Sequence, residues 1–214
     1  MTGILNVLLA AKAAAAGGPA VTWDPTHTVS PIALTNSNLT AGITLPDANN
    51  YMTWATTGVP ASSKKYWEIN CDTTPAFANS LGFGFVDGSF VAGSGNFLGF
   101  DTHGYGYYGS GGDVYYSGGS LTTWQTYATT DIISFAVDTV NNKFWTRRDG
   151  LNWNNDVIGN QNPATNTGGQ TFTMTPPFYP ALVFRSDATH IYQVTGVFTS
   201  ASWTYAAPSG FTQL

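Results

Sequence analysis

Residues 131–150 constrain the fold more than any other stretch. The run DIISFAVD (131–138) is mostly apolar and of strand length, and Val140-Asn141-Asn142-Lys143 is a turn. Phe144-Trp145-Thr146-Arg147-Arg148 then forms a second strand, and Asp149-Gly150 turns the chain again. Similar short runs lie on either side, separated by clusters of Gly, Pro, Asn and Asp. In 65–71, alternation places Trp67, Ile69 and Cys71 on one face. In 81–86, Leu81, Phe83 and Phe85 share a side, and glycines fall between them where another backbone can approach closely. Residues 179–184 and 191–197 are the closing strands. The pattern predicts an all-β sandwich of antiparallel strands over 21–214.

Composition agrees. Only 9% of the 214 residues are charged, against about 25% in an ordinary soluble domain. Eleven of the acids are Asp and one, Glu68, is Glu. Thr, Ser, Asn and Gly favour turns and strands over helix, while the 14% aromatic content supplies bulk for a sheet core. The length suits one domain with a short appendage. A net charge of −5, with seven basic residues spread along the chain, leaves no patch to neutralise phosphates and excludes nucleic acid as a partner. No apolar run approaches the ~20 residues of a membrane span. The single Cys excludes an intrachain disulfide framework and a Cys-rich zinc site.

Residues 1–16, MTGILNVLLAAKAAAA, predict the one α-helix, stopped by the linker at 17–20 that begins Gly17-Gly18-Pro19. Ile4, Leu5, Leu8 and Leu9 are its candidate anchor residues. No basic residue precedes Ile4 and Lys12 interrupts the apolar stretch, so the segment departs from a secretory signal. A helix of about 14 residues is marginal alone in water. It is expected to dock on a partner or to bundle with copies of itself, a trimer being favoured.

Five stretches carry a family resemblance: KKYWEINCD (64–72), SLGFGFVD (80–87), GYGYYGSGGDVYYSGG (104–119), TDIISFAVDTVNNKFWTRRDG (130–150) and FYPALVFR (178–185). In order and spacing they resemble the SPRY domain over roughly residues 60–198. The strand–turn–strand at 130–150 is the most specific piece, and Thr130 departs from the usual Gly. The resemblance implies a bent, twisted antiparallel β-sandwich, jelly-roll-like, that binds partners through loops at one end and carries no catalytic activity. The short Leu/Ala-rich N-terminus, the Gly-Gly linker and VTWDP…IALTNSNLTA (21–41) are in addition similar to tailed-phage virion proteins. A low-charge surface rich in Thr, Asn and Gly suits a shell or fibre protein outside a cell.

Little in the chain could act as acid, base or nucleophile. His27, His103 and His190 lack ligand spacing, and no nucleophile elbow or phosphate-cradling loop is present. Carboxylate pairs such as Asp138 with Asp149 are glycosidase-like candidates, although turn formation accounts for most Asp residues here. Cys71, alternating with Trp67 and Ile69, reads as a small buried hydrophobe. The expectation is no enzyme, no cofactor and no metal.

The aromatic excess points elsewhere. Tyr107, Tyr108, Tyr115, Tyr116 and Trp124 crowd a short stretch among Gly, Ser and Asp. Alternate Tyr on strands pack a core, but adjacent pairs point to opposite faces, so one of each pair is expected outward. Flat aromatic faces suit sugar rings or protein loops. The loop 147–156 adds Arg147, Asp149, Trp153 and Asn154, with Arg147 and Asp149 a simple ion pair on the bland reading and Trp153 expected exposed. Together these nine are the candidate ligand-binding residues. The resulting expectation is a phage virion surface protein, of tail-fibre, spike or capsid-decoration type. Its helix would attach to other virion proteins, and its loops would bind a host-surface glycan or protein. The alternatives are an intracellular adaptor that binds a peptide and a carbohydrate-active enzyme.

Overall fold

The computed structural model describes residues 20–43, 49–73, 80–93, 96–185 and 191–214. The expected helix with Ile4, Leu5, Leu8 and Leu9, the linker up to Pro19, and His190 lie outside these residues.

Thirteen strands are described: β1 (Ala33–Thr35), β2 (Thr40–Ile43), β3 (Asn50–Trp54), β4 (Lys64–Cys71), β5 (Leu81–Asp87), β6 (Gly104–Tyr108), β7 (Asp113–Tyr116), β8 (Gly119–Thr123), β9 (Ile132–Asp138), β10 (Lys143–Arg148), β11 (Gln170–Thr171), β12 (Phe178–Arg185) and β13 (Tyr192–Val197). They form two sheets, β1-β2-β13-β4-β9-β10-β11 and β3-β12-β5-β6-β7-β8, in which every pairing is antiparallel. The chain is an all-β sandwich, as its alternation predicts. The hairpin expected at 131–150 is β9–β10, with Phe144 opposite Val137. Asn142 in its turn, and Asp149 and Gly150 after it, take the positive φ those turns require.

The inner faces meet in one aromatic core. Trp67, Ile69 and Cys71 of β4 face Leu81, Phe83 and Phe85 of β5, as the alternation requires. Trp67 stacks on Phe135 at 5.2 Å, and Phe144 meets Phe85 edge-on at 5.0 Å. Burial pushes the Cys71 thiol up to about 12, and its Sγ donates to the Thr73 carbonyl. That is an inert, space-filling cysteine.

Both outer faces carry a second layer that local alternation does not show. On the sheet containing β5, Met52, Val86, Tyr108, Ala181 and Val183 pack beneath Phe90 and Leu98 from the segment after β5. On the other sheet, Tyr66, Ala136 and Trp145 pack against Trp153 and, from the C-terminal segment, Phe211. Tyr66 N donates to Thr212 O and Thr212 N donates to Lys64 O, so the tail lies along β4.

Candidate functional site

One flank of the sandwich stays open between β8 and the two-residue strand β11, the last strands of their sheets. A cleft of about 360 Å³ lies there. Its walls are Thr122 and Thr123 at the end of β8, Trp124, Asn154, Asn155 and Asp156, and on the far side Gln161, Gly169 and Gln170.

A hydrogen-bond relay fixes the floor. Asn154 Oδ1 accepts from the Thr146 backbone N–H at 2.9 Å, and its Nδ2 donates to Gln161 Oε1 at 3.0 Å. Gln161 Oε1 also accepts from Gly169 N–H at 2.8 Å. Two amide side chains thereby tie β10, the 153–155 turn and the start of β11 together. Asn154 and Asn155 have φ of 48° and 58°, a conformation asparagine tolerates better than other non-glycine residues. Gly169, at φ 84°, permits no side chain, because a Cβ would sit 2.6 Å from the Trp145 ring.

Lining the cleft are side chains whose hydrogen-bonding capacity the protein does not use. Thr122 Oγ1, the Trp124 indole N–H, the Asn155 amide and Gln161 Nε2 have no hydrogen-bond partner among the described residues. Asp156 Oδ1 accepts from Val157 N–H and Asn160 Nδ2, and Oδ2 has no partner among the described residues. Among the described residues, no Lys, Arg or His is in the lining. Lys143 of β10 spends its ammonium on the Asn166 carbonyl.

Of the residues picked out from sequence, Trp124 and Asn154 line this cleft. Asn154 is buried and both ends of its amide are engaged, so it positions the walls. The others lie elsewhere. Tyr107 and Tyr108 point to opposite faces, but neither reaches solvent. Tyr107 sits in the core and donates to Gln125 O, while Tyr108 is covered by the layer over its sheet and donates to Leu98 O. Gly82 makes that possible: a Cβ there would lie 2.5 Å from the Tyr108 ring. Tyr115 is half-buried against Phe97, and Tyr116 stacks on Tyr105 at 4.3 Å. Burial raises the Tyr105 and Tyr107 hydroxyls well above their ordinary range.

Trp153 is also not the exposed residue expected. Only 7% of it is accessible, because the C-terminal segment brings Phe211 beside the same cluster and Arg147 lays its guanidinium 4.4 Å from the indole. Arg147 donates to Ala206 O and does not pair with Asp149. It is Arg148 that approaches Asp149 and Asp131, at 3.7 Å each, since neighbours on a strand face opposite ways. Asp138 and Asp149 stand at opposite ends of the β9–β10 hairpin, about 20 Å apart by strand rise. That separation is too great for a glycosidase pair.

Among the described residues, no group of three His, Cys, Asp or Glu is placed to hold a metal, and no helix is long and apolar enough to cross a membrane. His27 pairs with Asp24 at 2.8 Å and stacks on Trp54, and His103 pairs with Asp87 at 3.0 Å.

Compared by sequence, the chain matches no family model and no curated protein. Solved structures match it in shape. The SPRY domain of human HERC1 superposes with a TM-score of 0.63 at 13% identity, over 82% of this chain and 96% of that one. The fold is SPRY-like. A second human SPRY domain gives 0.59 at 13% identity, over 78% and 94% of the two chains. Stonustoxin gives 0.56 at 16% identity over 83% of this chain, which spans 27% of the toxin chain. In this SPRY-like sandwich the polar cleft lies beside the exposed strand β8, with Asn154, Asn155 and Asp156 of the loop after the β9–β10 pair in its wall.

Asn155 and Asp156 of the lining fall within the candidate loop 147–156, and the cleft residues missed from sequence are Thr122, Thr123, Gln161, Gly169 and Gln170. The amide-rich, glycine-closed run NQNPATNTGGQ (160–170) is the signal that could have found three of them.

Proposed function

We propose that this chain is a non-catalytic binding module on a virion surface, presenting its lateral cleft to a ligand outside the particle. The observation that carries the binding role is the cleft, whose walls are tied by the Asn154–Gln161–Gly169 relay while polar groups of its lining lack partners among the described residues. A site ordered before binding loses little entropy when the ligand arrives. The virion setting is supported by the low-charge surface rich in Thr, Asn and Gly, and by the similarity of 21–41 and its leader to tailed-phage proteins. In this reading the apolar segment with Ile4, Leu5, Leu8 and Leu9 attaches the module to other virion proteins or joins copies.

Light-scattering mass tests the attachment. The full chain is expected to be a trimer or larger, and a chain starting at Pro19 a monomer. Two monomers would remove self-assembly and leave docking on another protein. Leu5→Asp with Leu8→Asp is expected to abolish incorporation into particles while the sandwich stays folded; incorporation of the double variant would end the anchor idea.

A second reading, an adaptor that binds a peptide, is favoured by β8. Its residues Gly119 to Thr123 are uncharged and mostly exposed at the edge of a sheet, where an extended peptide could add as a further strand.

A further inference from the structure

We infer that the ligand of the lateral cleft is a neutral saccharide. The inference rests on the cleft being the binding site and adds the chemical class of what it takes.

Charge decides the first exclusion. With no cation in the lining and with the Asp156 carboxylate present, a phosphate, sulfate or carboxylate would lose its water and meet a like charge. Apolar area decides the second. A peptide is normally held by a large side chain seated in an apolar pocket, and the one large apolar residue of this lining is Trp124, 8% accessible. The cleft offers no such pocket. It offers a mixed set of donors and acceptors without partners among the described residues. Thr122 Oγ1 both donates and accepts, the Trp124 indole and Gln161 Nε2 donate, and the Asn155 amide does both. A sugar ring also carries hydroxyls that each donate and accept, so it can satisfy such a set without any charge. At about 360 Å³ the cleft is at the small end of ligand sites, which run from roughly 300 to 1,000 Å³.

The test is an amide and indole NMR titration of the full chain. The probes are glucose, galactose, mannose, N-acetylglucosamine and rhamnose with their short homo-oligomers, galacturonate as the charged counterpart, and an uncharged extended Thr/Ser/Val peptide. At least one neutral sugar is expected to shift the Trp124 indole and the Asn155 and Gln161 side-chain signals, with an affinity insensitive to salt. Galacturonate is expected to bind more weakly than galactose. Asn155→Gly keeps the positive φ while removing the amide, and Thr122→Val is near-isosteric. Each is expected to weaken sugar binding about fivefold, the loss of one net hydrogen bond, with an unchanged melting temperature.

No shift with any sugar overturns the saccharide inference. So does tighter binding of galacturonate. If the peptide alone shifts the cleft signals, the saccharide inference fails while the cleft stands as the site. If sugars shift signals on another face only, the assignment of the cleft itself fails.

Discussion

Tyr66 Oη donates to Glu68 Oε1 at 2.6 Å, two residues along β4 on the face turned away from the core. Glu68, the chain's one glutamate, is fully buried. Its Oε1 also accepts from Tyr205 N–H, and its Oε2 accepts from Thr204 N–H at 2.7 Å. The carboxylate therefore pins the C-terminal segment to the outer sheet. The Tyr66 hydroxyl, sunk in the protein and held by the acid, is pushed up to about 12.

Removing that acceptor strands several donors together. Glu68→Ala leaves the Thr204 and Tyr205 amides without their partner, an expected cost of about 3 kcal/mol. In a chain of this size the melting temperature then falls by roughly 6–12 °C. Glu68→Gln keeps an acceptor and is expected to lose about half as much. Calorimetry of the two variants checks this, and equal, negligible losses would mean that the tail is held by Phe211 and the β4 backbone alone.

Trp153 shares that outer layer. Its indole lies in the cluster with Tyr66, Trp145 and Phe211, capped by the Arg147 guanidinium. Trp153→Ala is expected to destabilise by about 3–5 kcal/mol, the usual cost of deleting a buried large aromatic. A chemical denaturation curve measures it. A variant of near-normal stability would restore Trp153 to the surface role its polar loop suggests.

Alternation fixes which side of a strand a residue takes, but not whether that side meets water. Alternation is a local signal that places Trp67, Ile69 and Cys71 on one side of β4, as turn-forming residue types place the β9–β10 turn at 140–143. It also assigned Tyr107 and Tyr108 to opposite faces. Whether an outer face meets water depends on segments outside the strand: Leu98, ten residues back, lies over Tyr108, and the distant Phe211 lies beside Trp145. The same limit applies to the cleft. Trp124 drew attention by its type, but Gln161 and Gly169 matter through a relay to Asn154 that only folding creates.

Acid stability is tied to Asp138. Its Oδ1 accepts from the Val140 and Asn141 amides, and its Oδ2 meets Asn141 Nδ2 and the Lys64 ammonium at 2.9 Å. Burial works to raise its pKa, but the hydrogen bonds from Asn141 and Lys64 and the Lys64 charge outweigh burial and hold it below the ordinary value. A lowered folded-state pKa stabilises fully above the unfolded value, about 4, and that stability is lost as pH falls through the folded pKa. Asp138→Asn is therefore expected to be less stable than the parent by about 2 kcal/mol near neutrality. The gap should narrow steadily below about pH 4. Urea midpoints measured across that range decide it, and a gap independent of pH would assign the loss to turn geometry instead of charge.

The relay beneath the cleft makes the last prediction. Gln161 Oε1 is the shared acceptor of Asn154 Nδ2 and Gly169 N–H. Gln161→Ala leaves both donors without it, and the turn carrying Asn155 is no longer tied to β11. The expected loss of stability is about 1–2 kcal/mol, smaller than for Glu68→Ala because one side of the relay opens to water. Hydrogen exchange gives the sharper reading. The Gly169 amide should exchange much faster in the variant, while amides of β9 in the sheet interior keep their protection. If Gly169 stays protected, the cleft floor is held by the glycine turn and Trp145 packing, and the relay does not order the site.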